Sequence, residues 1–124
     1  MKKDITTKKD IEKLVNLFYD KVKLDTTLNH YFTNVIPVNW ENHLQIMYKF
    51  WENVLFYTGN YNGNPMQKHF ALHEKCPLTM KAFHQWTKIF NETVDELFEG
   101  ENASTIKQKA QSIATIMQIK MFKG

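Results

Sequence analysis

A chain of 124 residues is long enough to bury about two-thirds of its unfolded surface around one core, so residues 1–124 read as a single domain. With 43% hydrophobic and 23% charged residues the balance is that of a soluble globular protein, and no apolar run reaches the length needed to span a membrane. The net charge is only +3, carried by lysines scattered along the chain, which argues against a nucleic-acid footprint.

The one cysteine, Cys76, excludes an internal disulfide and suits a reducing cytoplasm. The basic opening MKKDITTKKD lacks the apolar stretch of a secretory signal. Nine Phe, five Tyr and three Trp are a heavy aromatic load for this length. They imply either a bulky core or a pocket around a flat apolar ligand, and composition leaves that choice open.

In chain order, the first helix is expected over about Lys8 to Leu24, opened by Thr7-x-x-Asp10 as a capping box with Asp in place of Glu. Its apolar stripe is Ile11, Leu14, Val15, Phe18 and Val22. Asp25 is suited to cap a short helix ending near Phe32, after which TNVIPVN breaks the periodicity around Pro37. A long helix follows from Trp40 to Thr58, with a broad face of Trp40, Leu44, Met47, Phe50, Trp51, Val54 and Leu55. Asn64-Pro65 suits an N-cap and first position for a short helix that carries His69 and ends near Leu72. A further helix runs from about Thr79 to Glu99 through Phe83, Trp86, Ile89/Phe90, Val94 and Leu97. The last runs from about Ala103 to Phe122 through Ile106, Ala110, Ile113, Met117 and Met121. Gly59 and Gly100 read as helix stops and Gly63 as a loop residue. The fold class is therefore all-α, and four isolated glycines exclude a glycine-rich phosphate loop.

The histidines decide which chemistry is open. His69 and His73 share a helix face, but the residues between them, Phe-Ala-Leu, lack the glutamate of a helical zinc protease. The residues three before His30, His43, His69, His73 and His84 are Thr27, Trp40, Met66, Phe70 and Lys81, so the Glu-x-x-His repeat of a di-iron bundle is absent. A structural zinc would need more thiolate or imidazole at close spacing. A haem asks for less: one proximal histidine, a flat apolar pocket and a few distal groups. Without a Cys-x-x-Cys-His attachment it would be haem b, held non-covalently. Spacing alone leaves His69 open between a surface histidine and an iron ligand, with Met66 and Leu72 placed to pack on a ring.

FYDKV at 18–22, WENHLQIMYKFW at 40–51, YNGNPMQKHFAL at 61–72 and FHQWTKIF at 83–90 together resemble the group III truncated haemoglobins. The resemblance spans nearly the whole chain in order. It implies a two-over-two helical sandwich around a haem pocket, with His69 as the proximal iron ligand. It implies Tyr19 and Trp86 as distal hydrogen-bond donors, His43 at the distal gate and Phe32 packed on the haem. Met47, on the His43 line, joins Met66 and Leu72 in the lining. After Leu72 this chain carries HEKC before Pro77, a longer loop than the family's. That bears on whether Lys68 or Lys75 reaches the haem propionates, and His73 is the alternative ligand if the register shifts. His30 and His84 read as solvent-facing or packing residues, and Cys76 as a bystander thiol.

The function implied is binding of O2, and of CO and NO, at a polar distal site. A hydrogen bond to a group carrying charge is worth roughly 1.5–3 kcal/mol, so two donors would slow O2 release about a hundredfold or more. Such retention suits NO or reactive-oxygen chemistry better than oxygen transport. The chain carries no electron source of its own, so an enzyme reading (NO dioxygenase or peroxidase) would need an external reductase. A haem-free helical interaction or sensor module is the remaining alternative. Neither a nucleic acid nor a membrane is expected as a partner.

Overall fold

The computed structural model describes residues 2–31, 39–59 and 78–122, with side chains to residue 119. The expectations at Phe32, Met66, Lys68, His69, Leu72, His73, Lys75 and Cys76, and the side chain of Met121, lie outside the described residues. Four helices carry the fold: α1 (Lys8–Leu24), α2 (Trp40–Phe56), α3 (Met80–Leu97) and α4 (Glu101–Phe122). Among the described residues there is no strand.

Helix α1 begins as its sequence dictates. Thr7 is the N-cap, its hydroxyl accepting from the Asp10 amide at 3.2 Å, while the Asp10 carboxylate accepts from the Thr7 amide at 3.1 Å. Asp10 also accepts from the Thr6 amide at 2.9 Å and from the Lys3 ammonium at 2.7 Å. Burial works to raise its pKa, but these donors outweigh it and pull the carboxyl down to about 2. Ile11, Leu14, Val15, Phe18, Tyr19 and Val22 form the buried face. Lys21 and Lys23 in the last turn complement the helix dipole. Asp25 then accepts from the amides of Thr27 (3.1 Å) and Leu28 (3.0 Å), the capping role expected of it.

Helix α2 is capped by Asn39, whose side chain accepts from the Asn42 amide at 3.2 Å. It stops at Phe56 because Tyr57 adopts a left-handed conformation (φ 56°), earlier than the expected end at Thr58 and ahead of Gly59. Its buried line is Tyr48, Trp51 and Leu55, whereas Trp40, Leu44, Met47, Phe50 and Val54 are only half-covered. Tyr48 joins the core because its hydroxyl donates to the Asn16 side chain on α1, a partner no stripe in α2 reveals.

Helix α3 begins where expected, with Thr79 as its N-cap accepting from the Ala82 amide at 3.0 Å. Helix α4 starts at Glu101, two residues earlier than expected, because its cap comes from far upstream. The Asp4 carboxylate accepts from the amides of Asn102 and Ala103, each at 2.9 Å. Asn102 in turn donates its side-chain amide to the Ile5 carbonyl at 2.7 Å. Gly100, at φ 144°, lies so close that a Cβ there would sit 2.5 Å from Asp4 Cγ. It is therefore a close-approach glycine; the expected helix-stop role falls to Phe98, the extended cap of α3.

The helices pair as α1 with α2 and α3 with α4, and the pairs are joined by α1 against α3 and α2 against α4. The core between them centres on Phe18, Trp51, Phe90, Ile106 and Val94, each at most 2% exposed.

Candidate functional site

The half-covered face of α2 meets α1 and α3 at a cluster of rings. Tyr19 is 6% exposed, far from the boundary position its edge of the stripe allowed. Its ring meets His43 edge-on at 5.1 Å and Trp40 at 5.6 Å, while Trp40 meets His43 at 5.7 Å. Trp40 and His43 lie one helical turn apart at the start of α2, so both face Tyr19 from the same side. Burial raises the Tyr19 phenol well above its ordinary pKa, and a phenol already protonated near neutrality stays an O–H group there. His43 is half-buried and its Nε2 atom is shut off from solvent.

Trp86 approaches from α3. Its ring stacks on Phe90 at 5.6 Å and 16° and on Trp51 at 6.4 Å and 23°. Phe18 touches both expected donors edge-on, Tyr19 at 5.0 Å and Trp86 at 5.8 Å. Tyr19 and Trp86, 67 positions apart in the chain, are thus both brought into contact with one buried phenylalanine. Gln85, the neighbour of Trp86, donates to Asp25 at 2.7 Å and ties this part of α3 to the turn after α1. Met47, one turn beyond His43, is half-buried against the core. Of the other histidines, His84 is exposed and His30 lies against Tyr31, ring centroids 4.1 Å apart and tilted by 35°.

These residues fit a haem on the side they describe. Leu44, Met47, Phe50 and Trp86 are large apolar side chains packed on the core yet incompletely covered, the lining a flat apolar ring requires. Tyr19 adds an O–H group and Trp86 an indole N–H. No group of three or more His, Cys, Asp or Glu among the described residues could hold a bare metal ion. No helix there is long and apolar enough to cross a membrane.

One contact escaped sequence reasoning. The Lys23 ammonium lies 4.2 Å from the centroid of the Trp40 ring. Lys23 follows Tyr19 by four residues on α1, so one turn of that helix brackets Trp40. The spacing was visible; the partner on α2 was not.

The chain matches the family model described as bacterial-like globin over residues 3–122. It is 33% identical to the group 3 truncated hemoglobin ctb of Campylobacter jejuni, an alignment covering 99% of this chain and 97% of that protein. Its structure is similar to the crystal structure of the group III truncated hemoglobin from Campylobacter jejuni, with a TM-score of 0.86 and 31% identity over 99% of this chain and 97% of the other.

Proposed function

The chain belongs to the bacterial-like globins, as a group III truncated haemoglobin with the all-α two-over-two globin fold, and from that premise we propose that it holds haem b non-covalently and retains O2 at a polar distal site. His69 is the proximal ligand in this reading. Phe32, Met47, Met66 and Leu72 line the ring with Trp86, and His43 stands at the distal gate. The haem supplies an iron with one open position for a diatomic ligand such as O2, CO or NO.

The protein's own contribution is hydrogen bonding in a dry setting. The observation that carries the reading is Tyr19: a buried tyrosine set against His43. A buried phenol is most stable with a polar partner, and a bound polar ligand is one its hydroxyl can serve. Trp86 offers an indole N–H, a donor that cannot accept, and its ring is held by stacking on Phe90 and Trp51. Two donors from different helices favour retention over delivery. The use proposed is NO or reactive-oxygen chemistry in the cytoplasm, with electrons from a separate reductase.

The test is the absorption spectrum of the purified ferric, ferrous and CO-bound protein, alone and as His69→Gly. A Soret band that shifts on reduction and CO binding is expected in the wild type. In His69→Gly it should be lost, or return with added imidazole. A normal five-coordinate ferrous spectrum in His69→Gly, lost instead in His73→Gly, would move the ligand to His73. No Soret band at all, with ample haem supplied, would leave a helical interaction module.

A further inference from the structure

We propose that Trp40, clamped by Lys23, is the outer seal of the Tyr19–His43 pair and sets how fast small ligands reach it; this rests on the distal-site reading above. Three observations place the ring. On its inner side Trp40 meets Tyr19 at 5.6 Å and His43 at 5.7 Å, and those two meet each other at 5.1 Å, so the three rings close a triangle. Over the Trp40 ring, 4.2 Å from its centroid, lies the Lys23 ammonium, on an exposed side chain. Within the triangle itself, exposure falls from the half-buried Trp40 to Tyr19 at 6%. The indole therefore separates a solvated cation from a buried phenol.

The chemistry of the contact makes it a latch that can open. A cation over an indole face is attracted by the ring quadrupole, yet at an exposed site the attraction is weak enough to break thermally. Edge-on ring contacts are weak individually as well. Because Trp40 and His43 lie a turn apart at the start of α2, an imidazole that swings outward must displace or follow the indole beside it. Trp40 is thus a positioning residue for His43 and a barrier for entry, while Tyr19 and Trp86 act on the ligand once inside.

The experiment uses Trp40→Ala, Trp40→Phe and Lys23→Gln in the full chain. In haem-loaded protein, flash photolysis of the CO complex should show association about tenfold faster in Trp40→Ala and about threefold faster in Lys23→Gln, the loss of two ring contacts plus the cation and of the cation alone. Trp40→Phe should fall between them. Association within 1.5-fold of wild type (about the scatter of such measurements) in Trp40→Ala and Lys23→Gln would overturn the proposal. The second readout needs no haem. Nitration by tetranitromethane, mapped by mass spectrometry, should leave Tyr19 protected in wild type and label it in Trp40→Ala. Tyr48, buried and bonded to Asn16, should stay protected in both. Unchanged Tyr19 reactivity in Trp40→Ala overturns the seal. If Tyr48 is labelled too, that variant has opened the fold, and Lys23→Gln, altered only at the surface, decides instead. Failure of wild type to take up haem would refute the distal-site reading, while nitration would still report on the seal.

Discussion

Asp10→Ala should destabilise the protein by about 2 kcal/mol at pH 7, and the gap from wild type should close in acid. Asp10 is 8% exposed and its carboxylate gathers the Thr6 and Thr7 amides and the Lys3 ammonium at the start of α1. Its pKa falls from the ordinary 3.8 to about 2. At ~1.4 kcal/mol per unit that difference corresponds to about 2 kcal/mol favouring the folded state. Because the folded-state value is depressed, the contribution is fully present above pH 4 and is lost as the pH falls through 2. About half should remain at pH 3. Lys3 is the largest single favourable partner, but its side chain is 60% exposed and screened by solvent, so the Thr6 and Thr7 amides together carry the larger share. Lys3→Ala should therefore cost about 0.5 kcal/mol. Urea unfolding of wild type and both variants, followed by circular dichroism at pH 7, 4, 3 and 2, measures each gap. A wild-type advantage over Asp10→Ala that stays constant from pH 7 to pH 2 would refute the assignment to an ionised carboxylate. A Lys3→Ala cost equal to that of Asp10→Ala would refute the assignment to the amides.

In haem-loaded protein, Tyr19→Phe and Trp86→Phe should each speed O2 dissociation about tenfold in stopped flow, with CO responding less, and rates within twofold of wild type for both would remove the polar-pocket mechanism. Their double mutant need not show the product of the two effects, since donors in one network reorient when a partner is lost. Gly100→Ala should destabilise by about 2 kcal/mol, because φ 144° is strained for alanine and its Cβ would meet Asp4 Cγ at 2.5 Å; a midpoint equal to wild type in urea would show that the cap yields without cost. Asp4→Ala combined with Gly100→Ala should then cost less than the sum of the two, because both remove the same cap on α4.

Local patterns carried most of the fold, and long-range partners carried what they missed. The capping box at Thr7 and Asp10 was legible because a cap and its amide lie three residues apart. The start of α4 was misplaced because its cap, Asp4, is 98 residues before Asn102. The broad stripe of α2 hid a division of labour. Period alone cannot separate Tyr48, Trp51 and Leu55, which face the core, from Leu44, Met47 and Phe50, which stay half-covered. Tyr19 and His43 were singled out by resemblance, and their contact at 5.1 Å is a tertiary fact no spacing contains. Lys23 over Trp40 is of the same kind, its two halves lying 17 positions apart.

The aromatic load first posed a choice between a bulky core and a pocket for a flat ligand; Phe18 belongs to the core, and the proposed pocket would draw on the same rings. Successive residues of a helix point about 100° apart, so α1 turns Phe18 toward α3 and its neighbour Tyr19 toward α2. Phe18 is 1% exposed and meets Phe90 at 5.4 Å, which makes it core, yet it also touches Tyr19 and Trp86 and so fixes the gap between the two donors. Trp86 owes its orientation to the same rings, lying nearly parallel to Phe90 and Trp51. An indole held by stacking needs no hydrogen bond to anchor it, and in the proposed function its N–H serves the ligand. The cost is that stability and donor geometry rest on shared side chains. Truncating a buried Phe in a core typically loses about 3–5 kcal/mol, and here it would also release both donors. Exchange at Lys23, an exposed residue over the Trp40 face, would spare the core, whereas Trp40 itself packs on the core and on Tyr19.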